Sequence, residues 1–274
     1  MNLVLIGNGK WAEKITNSKY ILDTVESVER VSASSFLRES SHSFLNDANM
    51  VWITSRPSLQ GEILSHLYSF GGFVLLEKPI ALTLKDFEFL KEGILFEKNR
   101  LRLSRVWNYS QVWRDFLSLP KIEFDRIEIS RGGPKQNSSI SCHLDWMPHD
   151  IYLLTELFGE ELLNCEILRS EEFSELLKAQ IHLRNSQVVV DLNIGHFPNE
   201  RIAEWKLFHK EELMMTIDFA NSQIVHSITG LKKSLSSTDS ITRMLQEIKC
   251  IHKEGVALDI DVQKSLGVSL LGIN

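Results

Sequence analysis

The chain has 274 residues, of which 43% are hydrophobic and 24% charged, an ordinary globular composition longer than one typical domain. Thirty basic against thirty-six acidic side chains leave a net charge of −6 with no basic tract, which argues against nucleic acid and anionic membrane as partners. The first apolar run, residues 3–6, is too short for a signal peptide, no stretch approaches a membrane span, and Cys142, Cys165 and Cys250 form no C-x-x-C, so the expectation is a cytoplasmic protein with reduced thiols.

In chain order, Leu3-Val4-Leu5-Ile6 reads as a buried strand running straight into Gly7-Asn8-Gly9-Lys10-Trp11-Ala12, a G-x-G-x-x-A turn that opens a helix. Gly7 permits the tight turn, Gly9 lets a pyrophosphate approach the backbone, and Ala12 allows close helix–strand packing. The bland alternative is a plain glycine turn. This fingerprint expects an acid about 20 residues on, at the tip of the second strand. The second strand is expected over residues 27–33, and its tip, Ser32-Ala33-Ser34-Ser35, carries no acid, although Glu29 is near. Serines such as Ser34 with Arg38 close behind suit a 2′-phosphate better than a free 2′-hydroxyl, which favours NADP over NAD.

Met50-Val51-Trp52-Ile53 is another strand of the buried type, ending in Thr54-Ser55-Arg56-Pro57. Residues 58–70 carry Leu59, Ile63, Leu67 and Phe70 at helical spacing and close on Gly71-Gly72. Phe73-Val74-Leu75-Leu76 then predicts a strand apolar on both faces, as in a parallel sheet, that stops in Glu77-Lys78-Pro79. Carboxyl ends of strands are where open α/β sheets bind ligands, so a lysine delivered there is placed for chemistry, unless it is only a solvated strand-end lysine. A helix capped by Thr83, with Leu84, Phe87, Leu90 and Ile94 on its core face, and a segment over residues 101–107 continue the alternation. Residues 1–107 thus read as a Rossmann-type, doubly wound dinucleotide-binding domain.

Beyond residue 107 the pattern changes. Residues 122–129 alternate with period two, and strand-like runs at 179–183, 187–194, 203–208 and 213–219 succeed one another without helices between them. Helices expected over residues 238–253 and 261–271 close the chain. Residues 108–274 therefore read as an α+β domain with a large, mostly antiparallel sheet, for substrate binding or dimerisation.

Within it lies Cys142-His143-Leu144-Asp145-Trp146-Met147-Pro148-His149-Asp150, followed by a helix that stops at Gly159. Proline belongs in a first turn, so the helix is expected to begin near Pro148, with Asp145 at or before its N-cap and His149 in its first turn. A helix N-terminus favours the neutral imidazole and a nearby carboxylate the charged one, a balance suited to a proton acceptor. In one reading Asp145 caps the helix and His149 faces water. Alternatively Cys142, His143, Asp145 and His149 ligate a metal, in a spacing unlike the familiar zinc patterns. In the catalytic reading, Asp145 and His149 face Lys78 across a cleft between domains.

Together these motifs resemble the glucose–fructose oxidoreductase/inositol dehydrogenase (Gfo/Idh/MocA) family. The residues carrying the resemblance are Gly7 to Ala12, Thr54-Ser55-Arg56-Pro57-Ser58, Glu77-Lys78-Pro79, and Asp145 to Asp150 with Gly159, in the family's order over more than half the chain. The resemblance implies NAD or NADP as cofactor, with contacts at Gly7, Asn8, Gly9, Lys10, Trp11, Ala12, Thr54, Ser55, Arg56, Pro57, Glu77 and Lys78. It implies hydride transfer between nicotinamide and a carbinol carbon, Lys78 hydrogen-bonding the reacting oxygen, His149 exchanging the proton, Asp145 orienting the substrate, and no metal. It also implies a cis Lys78–Pro79 bond and a homo-oligomer, dimer or tetramer, formed through the C-terminal sheet.

Three departures stand out. The stretch from Ala12 to Met50 is short for the family, Met147 replaces a residue that is usually glycine, and Trp107-Asn108-Tyr109-Ser110 lacks a common arginine. His42, His66, His182 and His226 lack motif context and read as structural or exposed. The expected function is NAD(P)-dependent oxidation or reduction of a sugar, cyclitol or nucleotide sugar. The rivals are a non-catalytic, cofactor-sensing regulator on the same fold and a metal-dependent hydrolase.

Overall fold

The computed structural model describes residues 1–39, 41–82, 85–86, 100–120, 122–134, 140, 142–159, 165–173, 176–183, 187–197, 199–227, 229–230, 232–234 and 239–250. They fall into two compact units, Met1–Ser104 joined by the segment from Ile241, and Arg105–Ser240. The helix expected from Thr83 and the one expected over residues 261–271 lie outside the described residues.

The first unit runs β1 (Asn2–Ile6), α1 (Lys10–Thr16), α2 (Lys19–Leu22), β2 (Ser27–Val31), α3 (Ala33–Arg38), β3 (Met50–Ile53), α4 (Pro57–His66), β4 (Phe73–Leu76) and β5 (Leu101–Leu103). Its five strands form one parallel sheet in the order β2-β1-β3-β4-β5. The interior strands are apolar on both faces, and Leu3 to Ile6, Met50 to Ile53 and Val74 to Leu76 are all buried. The edge strand β2 exposes Ser27, Glu29 and Arg30, which accounts for its mixed sequence. It ends two residues earlier than expected because Ser32 caps α3, its hydroxyl accepting from the Ser35 amide at 3.0 Å. Pro57 occupies the first turn of α4. That helix closes at His66, after which Leu67 and Phe70 stay buried in turns of i→i−3 bonds.

His42 lies between α3 and β3, stacked on Phe36 at 4.1 Å and edge-on to His66 at 5.8 Å. Its cover is local rather than deep: the side chain is 10% exposed, and Glu39 lies 4.0 Å away. Burial, and then His66, pushes this imidazole below its ordinary 6.5, with Glu39 pulling the other way. The unfolded chain therefore binds the proton more tightly. The stability that the neutral ring contributes is present above that value and lost as pH falls through and below it. His42→Phe keeps the stack, so urea midpoints of this variant should depend less on pH than wild type between about pH 7 and about pH 5.

The second unit runs α5 (Gln111–Ser118), β6 (Arg126–Gly133), α6 (Cys142–Phe158), β7 (Cys165–Phe173), β8 (Leu176–Leu183), β9 (Val189–His196), β10 (Ile202–His209), β11 (Glu212–Asp218), β12 (Gln223–His226) and β13 (Lys232–Ser234). Its eight strands are ordered β13-β12-β11-β10-β6-β9-β8-β7, all neighbours antiparallel except β6 and β9. Period-two burial gives one covered face, with Ile127, Ile129 and Arg131 on β6, Val190, Leu192 and Ile194 on β9, and Ala203, Trp205 and Leu207 on β10. Helix α6 lies against β6, β8 and β9. The last described helix, α7 (Ser240–Cys250), buries Ile241, Met244, Leu245 and Ile248 and groups mainly with the first unit. Among the described residues, no helix is long and apolar enough to cross a membrane.

Candidate active site

The turn after β1 is built from the sequence upward. Thr54 at the end of β3 donates its amide to the Ile6 carbonyl, and Gly7 donates to Val31, so the turn sits where β1 meets both neighbours. Gly7 has φ +149°, and a Cβ there would come within 2.5 Å of Thr54 Oγ1 and 2.8 Å of the Thr54 carbonyl carbon. Only glycine fits that approach. Gly9 is different: a Cβ there would meet no protein atom within 4 Å. Asn8, Gly9 and Lys10 are exposed, so the turn's backbone is open to a pyrophosphate, and the residues present fit a dinucleotide.

At the tip of β2 the expected 2′-phosphate contacts are both on α3 and exposed. Ser34 joins a hydroxyl cluster with Ser32, and Arg38 donates through Nε to the Ser34 carbonyl at 3.1 Å. Arg30, not singled out in the sequence, donates through Nε to the Gly7 carbonyl at 3.2 Å and so brings a guanidinium to the turn itself. Its signal was a basic residue one position before the strand's true end. Ser55 is partly covered, with an Oγ that has no hydrogen-bond partner among the described residues, Arg56 is the exposed N-cap of α4, and Pro57 is its first residue.

Strand β4 delivers Glu77, Lys78 and Pro79 to the same carboxyl edge of the sheet, and the Lys78–Pro79 bond is cis. Glu77 does not face outward. Its Oε1 accepts the Trp11 indole N–H at 2.8 Å and the Trp52 indole N–H at 2.9 Å, while its carbonyl accepts from Gln60 Nε2 at 3.2 Å. Glu77 keeps some accessible surface, but the protein packed around its carboxyl, rather than that remnant, governs its proton affinity. Burial pushes it above the usual carboxylate range, against the pull of the Ser104 hydroxyl, the Trp11 indole, the Lys78 ammonium and the Trp52 indole.

Asp145 and His149 stand on α6 of the second unit. The expectation of a helix beginning near Pro148 is corrected: α6 starts at Cys142 and carries Pro148 inside it. An internal proline costs about 3 kcal/mol. Here Cys142, Trp146 and Met147 are buried on its first turns, and the Cys142 thiol donates to the Ile194 carbonyl at 3.6 Å, so tertiary packing outweighs the break. Asp145 is consequently in the first turn and His149 one turn further, on the same helical face. Met147 is fully buried. Gly159 follows the last residue with φ +55°, the left-handed stop expected of it.

Around His149 the unit is tightly specified. The Trp107 ring meets the imidazole edge-on at 5.9 Å, and the Arg131 guanidinium lies 4.9 Å from the Trp107 centroid. Arg131 forks onto Asp150, Nε to Oδ2 at 2.5 Å and Nη2 to Oδ1 at 2.7 Å, and Trp205 Nε1 adds a bond to Oδ1 at 2.8 Å. About two turns further along α6 from His149, Glu156 accepts from Asn108 Nδ2 at 2.8 Å and Trp113 Nε1 at 2.7 Å. Nothing in the sequence points to Arg131, and Asp150, although it is among the residues that carry the resemblance, has no role assigned there, because their pairing is between elements 19 residues apart. Among the described residues no three of His, Cys, Asp and Glu are grouped to hold a metal ion.

The sequence matches no family model and no curated protein. Among solved structures, the chain is similar to UDP-N-acetylglucosamine 3-dehydrogenase from Acidithiobacillus ferrooxidans, at 18% identity and TM-score 0.74 over 100% of this chain and 96% of that one. A dehydrogenase from Chromobacterium violaceum aligns at 15% identity and TM-score 0.74, covering 99% and 94%. A 3-ketoreductase from Actinomadura kijaniata, in complex with TDP-benzene and NADP in an open conformation, aligns at 14% identity and TM-score 0.68, covering 96% and 94%. Such identities establish architecture rather than activity. The chain has the fold of these dehydrogenase and ketoreductase structures, a Rossmann-type parallel sheet followed by a large, mostly antiparallel one.

Proposed function

We propose that the protein is an NAD(P)-dependent oxidoreductase that moves a hydride between a carbinol or carbonyl carbon of a sugar, cyclitol or nucleotide sugar and nicotinamide. The observation that carries this reading is the meeting, at the carboxyl edge of one parallel sheet, of a glycine turn open at Gly9 and the strand end that bears Lys78. Structures with this fold, a UDP-N-acetylglucosamine 3-dehydrogenase and a 3-ketoreductase in complex with TDP-benzene and NADP, support it and favour a nucleotide sugar as substrate. The absence of an acid at the tip of β2, with Arg30 at the Gly7 carbonyl and Arg38 on α3, favours NADP.

The nicotinamide ring, when bound, supplies the hydride acceptor or donor. The backbone of Gly7 to Ala12 holds the pyrophosphate, and Thr54, Ser55, Arg56 and Pro57 border the dinucleotide from the end of β3. Lys78 hydrogen-bonds the reacting oxygen and stabilises negative charge as it develops. His149 takes the proton from that oxygen in oxidation and returns it in reduction, and Asp145, on the same helical face, orients the substrate. The same reading includes a cytoplasmic homo-oligomer joined through the eight-stranded sheet.

The test uses purified protein, NADP⁺ or NAD⁺, and UDP-N-acetylglucosamine with a panel of sugars and cyclitols, followed by absorbance of the reduced nicotinamide. Turnover with at least one member is expected, with NADPH binding at least about tenfold tighter than NADH. Tight NADPH binding with no turnover across the panel would favour the cofactor-sensing alternative. Binding of neither cofactor removes the reading.

A further inference from the structure

We propose that Glu77 is a positioning residue: its carboxyl anchors the Trp11 indole, and with it the glycine turn, to the strand end that carries Lys78. The inference rests on the turn being a dinucleotide site. It departs from the expectation that Glu77 itself touches the cofactor.

Trp11 is the second residue of α1, so the direction of its indole sets how the helix leaves the turn. Three contacts hold that ring. Its N–H donates to Glu77 Oε1 at 2.8 Å, it packs T-shaped against the Trp52 ring at 6.5 Å, and the Lys14 ammonium lies 5.2 Å from its centroid. Trp52 is fully buried on β3 and gives its own N–H to the same oxygen. One oxygen atom therefore joins three elements: α1 beyond the glycine turn, β3 in the centre of the sheet, and β4 at the residue before Lys78. Backbone bonds frame the same point, Glu77 N–H to the Ile53 carbonyl at 3.2 Å and Thr54 N–H to the Ile6 carbonyl at 3.0 Å.

A charged acceptor shared by two indoles is stronger and more directional than a neutral one, and a partly buried site amplifies it. A dinucleotide must find its pyrophosphate turn and its nicotinamide end correctly spaced. The Glu77–Trp11 bond fixes the turn relative to the Lys78 end without either indole or carboxyl contacting the ligand. The raised proton affinity of Glu77 fits an interior anchor: ionising it costs stability as pH climbs past the ordinary carboxylate range, and Glu77→Gln removes that cost while keeping an oxygen for both indoles.

The experiment measures NADPH affinity by calorimetry for the full-length protein and its variants, with melting curves on the same samples. Trp11→Phe keeps the ring and leaves the Glu77–Trp52 bond intact, so it should fold like wild type and bind NADPH about tenfold more weakly. Glu77→Leu should weaken binding by at least a similar factor, and the double variant Trp11→Phe/Glu77→Leu by about as much as Glu77→Leu alone rather than by the product of the two losses, because the Glu77–Trp11 bond they share can be lost only once. Glu77→Gln should stay within about threefold of wild type. Unchanged affinity in Trp11→Phe, additive losses in the double variant, or a Glu77→Gln loss as large as that of Glu77→Leu would each overturn the anchoring role while leaving the dinucleotide reading in place. Failure of wild type to bind NADPH would overturn both.

Discussion

Asp150→Ala is expected to lower folding stability by about 3–5 kcal/mol, measured as a shift of the urea midpoint at unchanged slope. Asp150 and Arg131 are 0% and 1% exposed, and the guanidinium is enclosed by the Trp107 and Phe219 rings at 4.9 and 5.3 Å. Removing the carboxylate strands a cation in that enclosure and leaves the Trp205 indole N–H without its acceptor. The size of the effect comes from the uncompensated charge, not from the intrinsic worth of the pair. Arg131→Met combined with Asp150→Asn removes both charges and keeps an amide oxygen for Trp205, so the double variant should be more stable than Asp150→Ala alone. A midpoint for Asp150→Ala within about 1 kcal/mol of wild type would show that this pair does not hold α6 to β6 and β10.

The parts that were legible in the sequence are those whose cause is local. Leu3 to Ile6, Met50 to Ile53 and Phe73 to Leu76 announce interior strands because a covered parallel sheet demands apolar residues on both faces. Gly7 is legible because its turn forbids a side chain, and Gly159 because its backbone is left-handed. The start of α6 was misplaced because the rule against internal proline is local, whereas the burial of Cys142, Trp146 and Met147 that overrides it is not. Strand β7 hid behind Glu166, Arg169, Glu171 and Glu172, and its pairing slips between Arg169 and Glu171. The partners of Glu77 stand 66 and 25 residues away in sequence, so a motif read as a tripeptide could not reveal that its acid is held inside. Arg30 is not legible as a residue of the turn because the sequence predicts a strand that runs two residues past the actual end of β2.

Lys78→Ala and His149→Ala should each reduce kcat/KM by about 10²–10⁴-fold while changing NADPH affinity by less than about threefold. Lys78 follows the buried strand β4 and is itself only partly covered, so truncating it removes a charge without opening a core cavity. His149 is likewise only partly covered, with the fully buried Met147 and Asp150 on either side of it carrying the packing of that turn. Melting temperatures close to wild type are therefore expected for both variants. Intact cofactor binding with lost turnover distinguishes a chemical role from a structural one, because a structural defect would lower affinity and stability together. In the proposed reaction both groups serve the same reacting oxygen, so their losses are not independent and Lys78→Ala/His149→Ala should be little worse than the poorer single variant. Asp145→Asn, which keeps shape and hydrogen bonding but drops the charge, should fall between wild type and those two. Turnover within about tenfold of wild type in both alanine variants would remove Lys78 and His149 from the chemistry.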